Sequence, residues 1–222
     1  VDYLGQPIAV VVARSLQAAQ RAAEQVLVDY AAEAAQADGA DDALTVASVR
    51  HQSGKAQPTQ AVHKVRLVHR QARVIAMSLE PRAIVAQWDG ASGMLTAWLS
   101  TQTPSRARTD IARTLGLPPK QVRVIAPDVG GAFGAKASVS PEDLVIAFAA
   151  RHLQASVKWT SPRSEEFTSA TQGRGARLEG ELWLDAQGRF VRLQANMNFP
   201  VGAWLAFSAV AARASPASVP VR

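Results

Sequence analysis

Two stretches of this chain have residue types and spacing that could do chemistry. The first is Asp128-Val-Gly-Gly-Ala-Phe-Gly-Ala-Lys136, three glycines and two alanines around one phenylalanine. Small residues let a backbone approach another group closely, and their bare N–H groups can meet negatively charged oxygens. The second is Ser100-Thr-Gln-Thr-Pro104, about thirty residues upstream. The glycine loop fits neither common phosphate fingerprint. The Walker A pattern needs Gly directly before Lys, where Ala135 stands, and the Rossmann pattern needs Gly-x-Gly, where Gly130-Gly131 and Gly134 stand. From its residues alone the loop is either a phosphate or cofactor loop or a structural turn. The acids Asp128, Asp143, Glu165 and Glu166 read as caps, turns or surface charges, and none is assigned as a catalytic base.

Those stretches must be positioned by regular elements, and the pattern predicts a mixed α+β chain with helices packed on sheet faces. Pro7–Ala13 is a continuous β-branched run of the kind buried on both faces of a sheet. A helix capped by Ser15 is expected to run to Tyr30, with Leu16, Ala19, Ala23, Val26 and Leu27 at helical spacing. Residues 31–60 show no sustained period and read as a loop or linker at a domain boundary. From His63 the alternation is that of a strand. Strands over 83–88 and 94–99 flank the turn Asp89-Gly-Ala-Ser-Gly93. Thr103, Pro104 and the Gly116/Pro118 pair punctuate a helix. A strand over 121–126 then leads into the glycine loop. Ser140-Pro-Glu-Asp143 opens a helix to about His152, and 157–159 is a short strand. A hairpin of 175–185 and 189–198 turns at Asp185-Ala-Gln-Gly188.

Composition bounds the function classes. The chain has 222 residues, 48% of them hydrophobic and 19% charged, as an ordinary globular protein has. It has no cysteine, which excludes disulfides, thiolate metal sites and thiol catalysis from its own side chains. The formal charge of +6 raises nucleic-acid binding. The arginines are scattered, however, and no aromatics interleave with them as stacking platforms, so nucleic acid is not expected as a partner. A basic surface facing an acidic subunit or an anionic cofactor accounts for the charge. No membrane span and no secretory signal are read, so the expected location is cytoplasmic. The first residue is valine, and Ser215-Pro-Ala-Ser-Val-Pro-Val-Arg222 reads as a chain cut in mid-fold.

The two stretches occur in order with Leu79-Glu-Pro-Arg82, Val157-Lys-Trp-Thr-Ser-Pro-Arg-Ser-Glu165 and Ala170-Thr-Gln-Gly-Arg174. This ordered set resembles the molybdenum-cofactor-binding large subunit of the xanthine dehydrogenase, aldehyde oxidase and carbon monoxide dehydrogenase family. The resemblance implies that residues 1–60 are an α/β hammerhead-like segment with its linker. Residues 61–222 would then be the N-terminal part of the first molybdopterin-binding domain. It implies a molybdopterin cofactor, with a cytosine dinucleotide form in many bacterial relatives, and no protein side chain as metal ligand.

The resemblance also implies site roles. Gln102 would face the oxo ligand of the metal, where an amide donates a hydrogen bond without adding charge. Phe133 would wall the substrate pocket. Gly130, Gly131, Ala132, Phe133 and Gly134 would approach the cofactor with their backbone. Lys136 reads either as reaching an anionic cofactor group or as an exposed lysine. Glu80 and Arg82 read as structural, a partly buried ion pair or hydrogen-bond anchor. Two family glycines are Ala132 and Ala135 here, so those positions either have ordinary φ or the loop has shifted. Ala137 replaces the glutamate of the purine-oxidising branch, which argues against a purine substrate.

The implied activity is oxidation of an aldehyde, an N-heterocycle or carbon monoxide with water-derived oxygen. The implied partners are the rest of the large subunit, iron–sulfur and flavin subunits or domains, and a dimer of the complex. The family's glutamate base lies in a region beyond these residues, so the isolated chain is expected to be inactive. The other class of function is a non-catalytic, truncated or degenerate relative that serves as a binding or assembly module.

Overall fold

The computed structural model describes residues 1–34, 45, 47–54 and 61–203. Most of the expected linker, and the chain from 204, lie outside the described residues. The chain divides into two compact units that interleave in sequence. The first includes Val1–Ala32 and Ile75–Thr171, and the second includes Glu33–Val74 and Gln172–Leu205. In chain order the elements are α1 (Leu16–Ala23), β1 (His63–Gln71), β2 (Val74–Ile75), β3 (Ala83–Asp89), β4 (Met94–Leu99), α2 (Pro104–Leu115), β5 (Val122–Ile125), α3 (Pro141–Leu153), β6 (Val157–Thr160), α4 (Arg163–Ser169), β7 (Gln172–Gly173), β8 (Ala176–Leu184) and β9 (Phe190–Asn198).

The first unit is built on a four-stranded sheet in the order β5-β4-β3-β6. β3 and β4 form the expected hairpin, with Ile84 opposite Leu99 and Ala86 opposite Ala97. β6 adds antiparallel to β3, and β5 adds parallel to β4 after the α2 crossover, as a parallel neighbour requires. Burial alternates along β3 and β4, so one face of the pleat is dry. On that core lie Ile84, Ala86, Leu95, Ala97 and Leu99, with Ala107, Ile111 and Ala112 of α2 and Ile146, Ala147 and Ala150 of α3. Alanines on both sides let the helices approach the sheet. Ile84, Leu95 and Ile111 are the largest side chains wholly inside, each worth about 1.5–3 kcal/mol by burial.

The helix ends follow local chemistry. Gly116 closes α2 at φ 63°, with its N–H on the Ala112 and Arg113 carbonyls. α3 opens with a reciprocal capping box: Asp143 N–H donates to Ser140 Oγ, and Ser140 N–H donates to Asp143 Oδ2. Thr103 holds the N-cap position of α2 but makes no side-chain cap bond; its hydroxyl is used elsewhere, as described below. α4 was not expected. It starts at Pro162, carries Glu165 and Glu166 in its first turn, and is held by Arg82.

The N-terminal segment departs from expectation. Residues 7–13 form no strand, and α1 ends at Ala23 rather than Tyr30. The β-branched run finds no paired strand among the described residues, and Ile8, Val10 and Val12 are exposed. α1 buries no residue. A helix of two turns without a covered apolar face has little to extend it. The α+β class and helix-on-sheet packing agree with expectation.

The second unit contains a three-stranded antiparallel sheet in the order β1-β8-β9. The register places Val65 opposite Leu182 and Leu182 opposite Leu193, and likewise His69, Leu178 and Met197 in one row. The opposite face is polar. Lys64 pairs with Glu181 at 2.9 Å, and Lys64 and Arg192 both lie over the Trp183 ring.

Candidate functional site

The glycine loop leaves the end of β5, and the Ser100–Thr103 turn leaves the end of β4. The parallel pairing of β4 with β5 therefore brings the two stretches to the same end of the sheet, outside the strand C-termini, where open α/β sheets bind ligands. The contacts between them are direct. Gly134 N–H donates to Gln102 Oε1 at 3.2 Å. Gln102 N–H donates to the Lys136 carbonyl at 3.2 Å. The Thr101 hydroxyl donates to the same carbonyl at 3.1 Å, and the Thr103 hydroxyl to the Ala137 carbonyl at 2.9 Å. Three consecutive residues of one turn thus hold the second half of the loop, which explains why Thr103 does not cap α2.

Glu80 holds the first half. Its Oε2 accepts from Gly130 N–H at 2.8 Å, Ser100 Oγ–H at 2.8 Å and Lys136 Nζ at 3.0 Å. Lys136 Nζ also donates to the Glu80 carbonyl at 2.9 Å, and Glu80 N–H donates to the Gly130 carbonyl at 3.1 Å. The approach is close: a Cβ on Gly130 would stand 2.6 Å from the Glu80 Cβ, so only glycine fits there. Partial burial pushes the Glu80 carboxyl up, but hydrogen bonds from Ser100, Gly130 and Lys136, with the Lys136 charge, outweigh it and hold it below the usual carboxylate range. Lys136 itself is buried, its side chain 4% exposed. Neither sequence-based alternative for Lys136 holds, because its ammonium is spent on Glu80.

The segment 78–82 that carries Glu80 is in turn gripped from outside. Arg163 donates to the Ser78 and Leu79 carbonyls at 2.8 and 2.6 Å. With Lys136 on the Glu80 carbonyl, three consecutive main-chain oxygens are each met by a cation. Arg82 N–H and Nε both donate to Glu166 Oε1, at 2.7 and 3.0 Å, and Arg82 Nη1 donates to Glu142 Oε2 at 3.0 Å. The Arg82 side chain and both acids are about nine-tenths buried. Glu80 and Arg82 are therefore structural as expected, but in separate ion clusters, Glu80 with Lys136 and Arg82 with Glu142 and Glu166.

Asp143 lies beside this second cluster. Burial pushes its carboxyl up to about 6 against hydrogen bonds from Ser140; the Glu142 charge adds to the rise and Arg82 opposes it. Asp143 Oδ1 has no hydrogen-bond partner. Burial and the neighbouring acids Glu142 and Glu166 also raise Glu165, against the pull of Arg82.

The loop apex has a distinctive backbone. Gly131, Phe133 and Gly134 have φ of 99°, 50° and 90°. Ala132 and Ala135 are absent from the positive-φ residues, so the two alanines sit where alanine is unstrained. The strain falls on Phe133 instead, since a left-handed conformation costs a non-glycine residue about 1–2 kcal/mol. Its ring is 78% exposed. The N–H groups of Gly130, Gly131, Gly134 and Ala135 all have acceptors, whereas those of Ala132 and Phe133 meet none among the described residues. Gln102 has its side-chain carbonyl engaged by Gly134, and its NH2 donates to no acceptor among the described residues. The structure thus brings together Gln102, Gly130, Gly131, Ala132, Phe133 and Gly134, and presents neutral donors and one aromatic ring on a braced surface. Sequence reasoning missed the Arg163 grip and the triple acceptance at Glu80; both depend on partners twenty or more residues away.

Comparison with known proteins bears on what such a surface meets. A family profile described as "Molybdopterin cofactor-binding domain" matches residues 41–219. The 6-hydroxypseudooxynicotine dehydrogenase complex subunit gamma of Paenarthrobacter nicotinovorans is 34% identical over 208 residues, covering 87% of this chain and 26% of the relative. The aldehyde oxidoreductase molybdenum-binding subunit of Escherichia coli K12 is 32% identical over 204 residues, covering 87% of this chain and 27% of the relative. Among solved structures, aldehyde oxidoreductase from Desulfovibrio gigas superposes with a TM-score of 0.72 at 20% identity, over 83% of this chain and 22% of that one. That last likeness speaks for the fold alone. The chain spans about a quarter of the length of the curated relatives it matches.

Proposed function

This chain belongs to the molybdopterin cofactor-binding domain family, in the large-subunit line of the xanthine dehydrogenase, aldehyde oxidase and carbon monoxide dehydrogenase enzymes, and we propose that it supplies one wall of the cofactor site in such an oxidoreductase. The observation that carries this reading is the braced apex itself: the N–H groups of Ala132 and Phe133 and the Gln102 NH2 meet no acceptor among the described residues, on a turn fixed from both sides. Neutral donors of this kind suit an oxygen-rich anionic group whose charge changes during turnover. The donor set contains no thiolate or imidazole, which suits a metal carried by its own organic ligand.

In this reading Gln102 donates to the metal's oxo group. Gly130, Gly131, Ala132, Phe133 and Gly134 line the cofactor with their backbone, and the Phe133 ring walls the substrate pocket. When bound, the cofactor supplies the redox centre for oxidising an aldehyde, an N-heterocycle or carbon monoxide with water-derived oxygen. The chain's own part is to bind, orient and exclude water; the proton-abstracting base comes from the rest of the large subunit, so the isolated chain is inactive. Residues 1–60 act as a hammerhead-like segment with its linker, and 61–222 as the N-terminal part of the cofactor-binding domain. The pterin is of the cytosine dinucleotide form. Iron–sulfur and flavin subunits or domains take the electrons, in a dimeric, cytoplasmic complex.

The test is molybdenum and pterin content, together with turnover, of the complex assembled with Gln102→Ala or Phe133→Ala. The expected result is a turnover loss of at least about a hundredfold for Gln102→Ala and an altered substrate range for Phe133→Ala. Native molybdenum content and native turnover in both variants would contradict the assigned roles.

A further inference from the structure

Among the described residues Glu80 makes no hydrogen bond to Gln102 or the loop apex, yet it joins the segments that carry them. One oxygen, Oε2, accepts from Ser100 at the root of the Gln102 turn, from Gly130 at the entry to the loop and from Lys136 at its exit. The loop is therefore pinned at both ends to the same atom that pins the turn. Between those pins, among the described residues, one hydrogen bond, Gly134 N–H to Gln102 Oε1, links the apex to the turn. That bond also fixes the orientation of the Gln102 amide, because the carbonyl is held on Gly134 N–H and the NH2 must face another way. None of these atoms belongs to the buried core formed by β3, β4, α2 and α3.

We infer that Glu80 is a positioning residue for the site: its carboxylate sets the register of the glycine loop against the Ser100–Thr103 turn, and through it the orientation of the Gln102 amide. This rests on the reading that Gln102 and the loop face the cofactor. Charge-assisted bonds to one acceptor are strong and geometrically demanding. Without that acceptor the loop entry keeps only the Glu80 N–H on the Gly130 carbonyl among the bonds named above, the exit keeps the Thr101, Gln102 and Thr103 bonds, and the buried Lys136 ammonium loses its carboxylate partner. The four-stranded core has no such dependence and stays folded. The outcome is a local opening rather than a global one.

Amide hydrogen exchange in the 222-residue chain tests this, with Gly134 as reporter because its N–H is bonded to Gln102 and not to Glu80. In Glu80→Ala, the Gly134 amide is expected to exchange about tenfold faster, while the β4 amides keep their native protection. In the double variant Glu80→Gln with Lys136→Met, a neutral carboxamide oxygen still accepts from Gly130 and Ser100, and Gly134 protection returns to within a few-fold of native. Where Glu80→Ala does not fold, Ser100→Ala reads the same link, with an expected rise of a few-fold at Gly134. Unchanged Gly134 exchange would overturn the inference. So would a rise shared equally by β4, or a double variant as open as Glu80→Ala. Molybdenum content of the assembled complex separates this from the cofactor reading. A freed Gly134 with full molybdenum content keeps Glu80's positioning role and removes the cofactor reading, whereas a protected Gly134 with depleted molybdenum removes the positioning role.

Discussion

Glu80 and Asp143 are both carboxylates at the entrance to a regular element, one just before β3 and the other in the first turn of α3, and the protein treats them in opposite ways. Glu80 is surrounded by donors, all on one oxygen, and its carboxyl is held below the usual range. Asp143 is more deeply enclosed, keeps one oxygen without a partner, and is pushed up to about 6. Burial acts on both. The difference is the number of donors that come with it. A carboxylate that anchors a loop must stay charged to hold ammonium and amide together. A carboxylate that caps a buried helix start needs only one good acceptor, and its charge is a cost.

The largest expected effect comes from the ion cluster that lies between these two carboxylates. Arg82→Ala leaves Glu142 and Glu166 buried without their cation, and a loss of about 3–5 kcal/mol in denaturant unfolding is expected. A loss below about 1 kcal/mol would mean that the cluster is already solvated and that the contrast between the two carboxylates is not one of burial.

Asp143→Asn sharpens the contrast directly. Asparagine keeps an acceptor for Ser140 N–H and removes the buried charge. Because the folded Asp143 carboxyl sits above its unfolded value of about 3.8, the folded state binds the extra proton, and native stability falls as pH rises from about 4 through about 6. The variant is expected to match the native chain near pH 4 and to exceed it by roughly 1–3 kcal/mol at pH 8. Glu80 has the opposite sign: its contribution is present above its unfolded value and is lost as pH falls through its lowered folded value. A variant less stable than native at pH 8 would reverse the assignment for Asp143.

The smallest effect concerns the loop apex that Glu80 braces. Phe133→Gly is expected to be about 1 kcal/mol more stable than Phe133→Ala, because glycine accepts the left-handed backbone without strain. Ala132→Gly goes the other way, by about 0.4–1 kcal/mol, because its φ is ordinary and glycine only adds freedom to the unfolded chain. Equal unfolding free energies for the two Phe133 variants would show that the apex stores no strain.

Local signals explain how much of this was legible in the sequence. The β3–β4 hairpin shows in period-two alternation around Asp89–Gly93, α2 in Pro104 and Gly116, and α3 in the Ser140–Asp143 box, because each is decided within a few residues. The same holds for the β8–β9 hairpin. Long-range partners were not legible. Lys136 reads as an exposed or cofactor-facing lysine until Glu80, fifty-six residues away, is seen beneath it. β1 joins β8 across more than a hundred residues. The run 7–13 has strand composition, but a strand exists only with a partner, and none pairs with it among the described residues. α4 does carry a local signal, two acids in its first turn behind the N-cap Pro162. Within the site, the ordered motifs single out the Gln102 turn and the Phe133 loop, which the structure places at one end of the sheet, whereas the strain at Phe133 rather than at the alanines required the backbone itself.

The central claim is that Gln102 and the Phe133 loop face a molybdenum centre. Electron paramagnetic resonance of the Mo(V) state, in the assembled complex containing this chain, tests it most directly, since that signal responds to hydrogen bonds at the metal's oxygen ligands. A Mo(V) signal in the native complex is expected, with a changed spectrum for Gln102→Ala and an unchanged one for the exposed control Lys120→Ala. Absence of Mo(V) signal from the native complex, or identical spectra for native and Gln102→Ala, would contradict it.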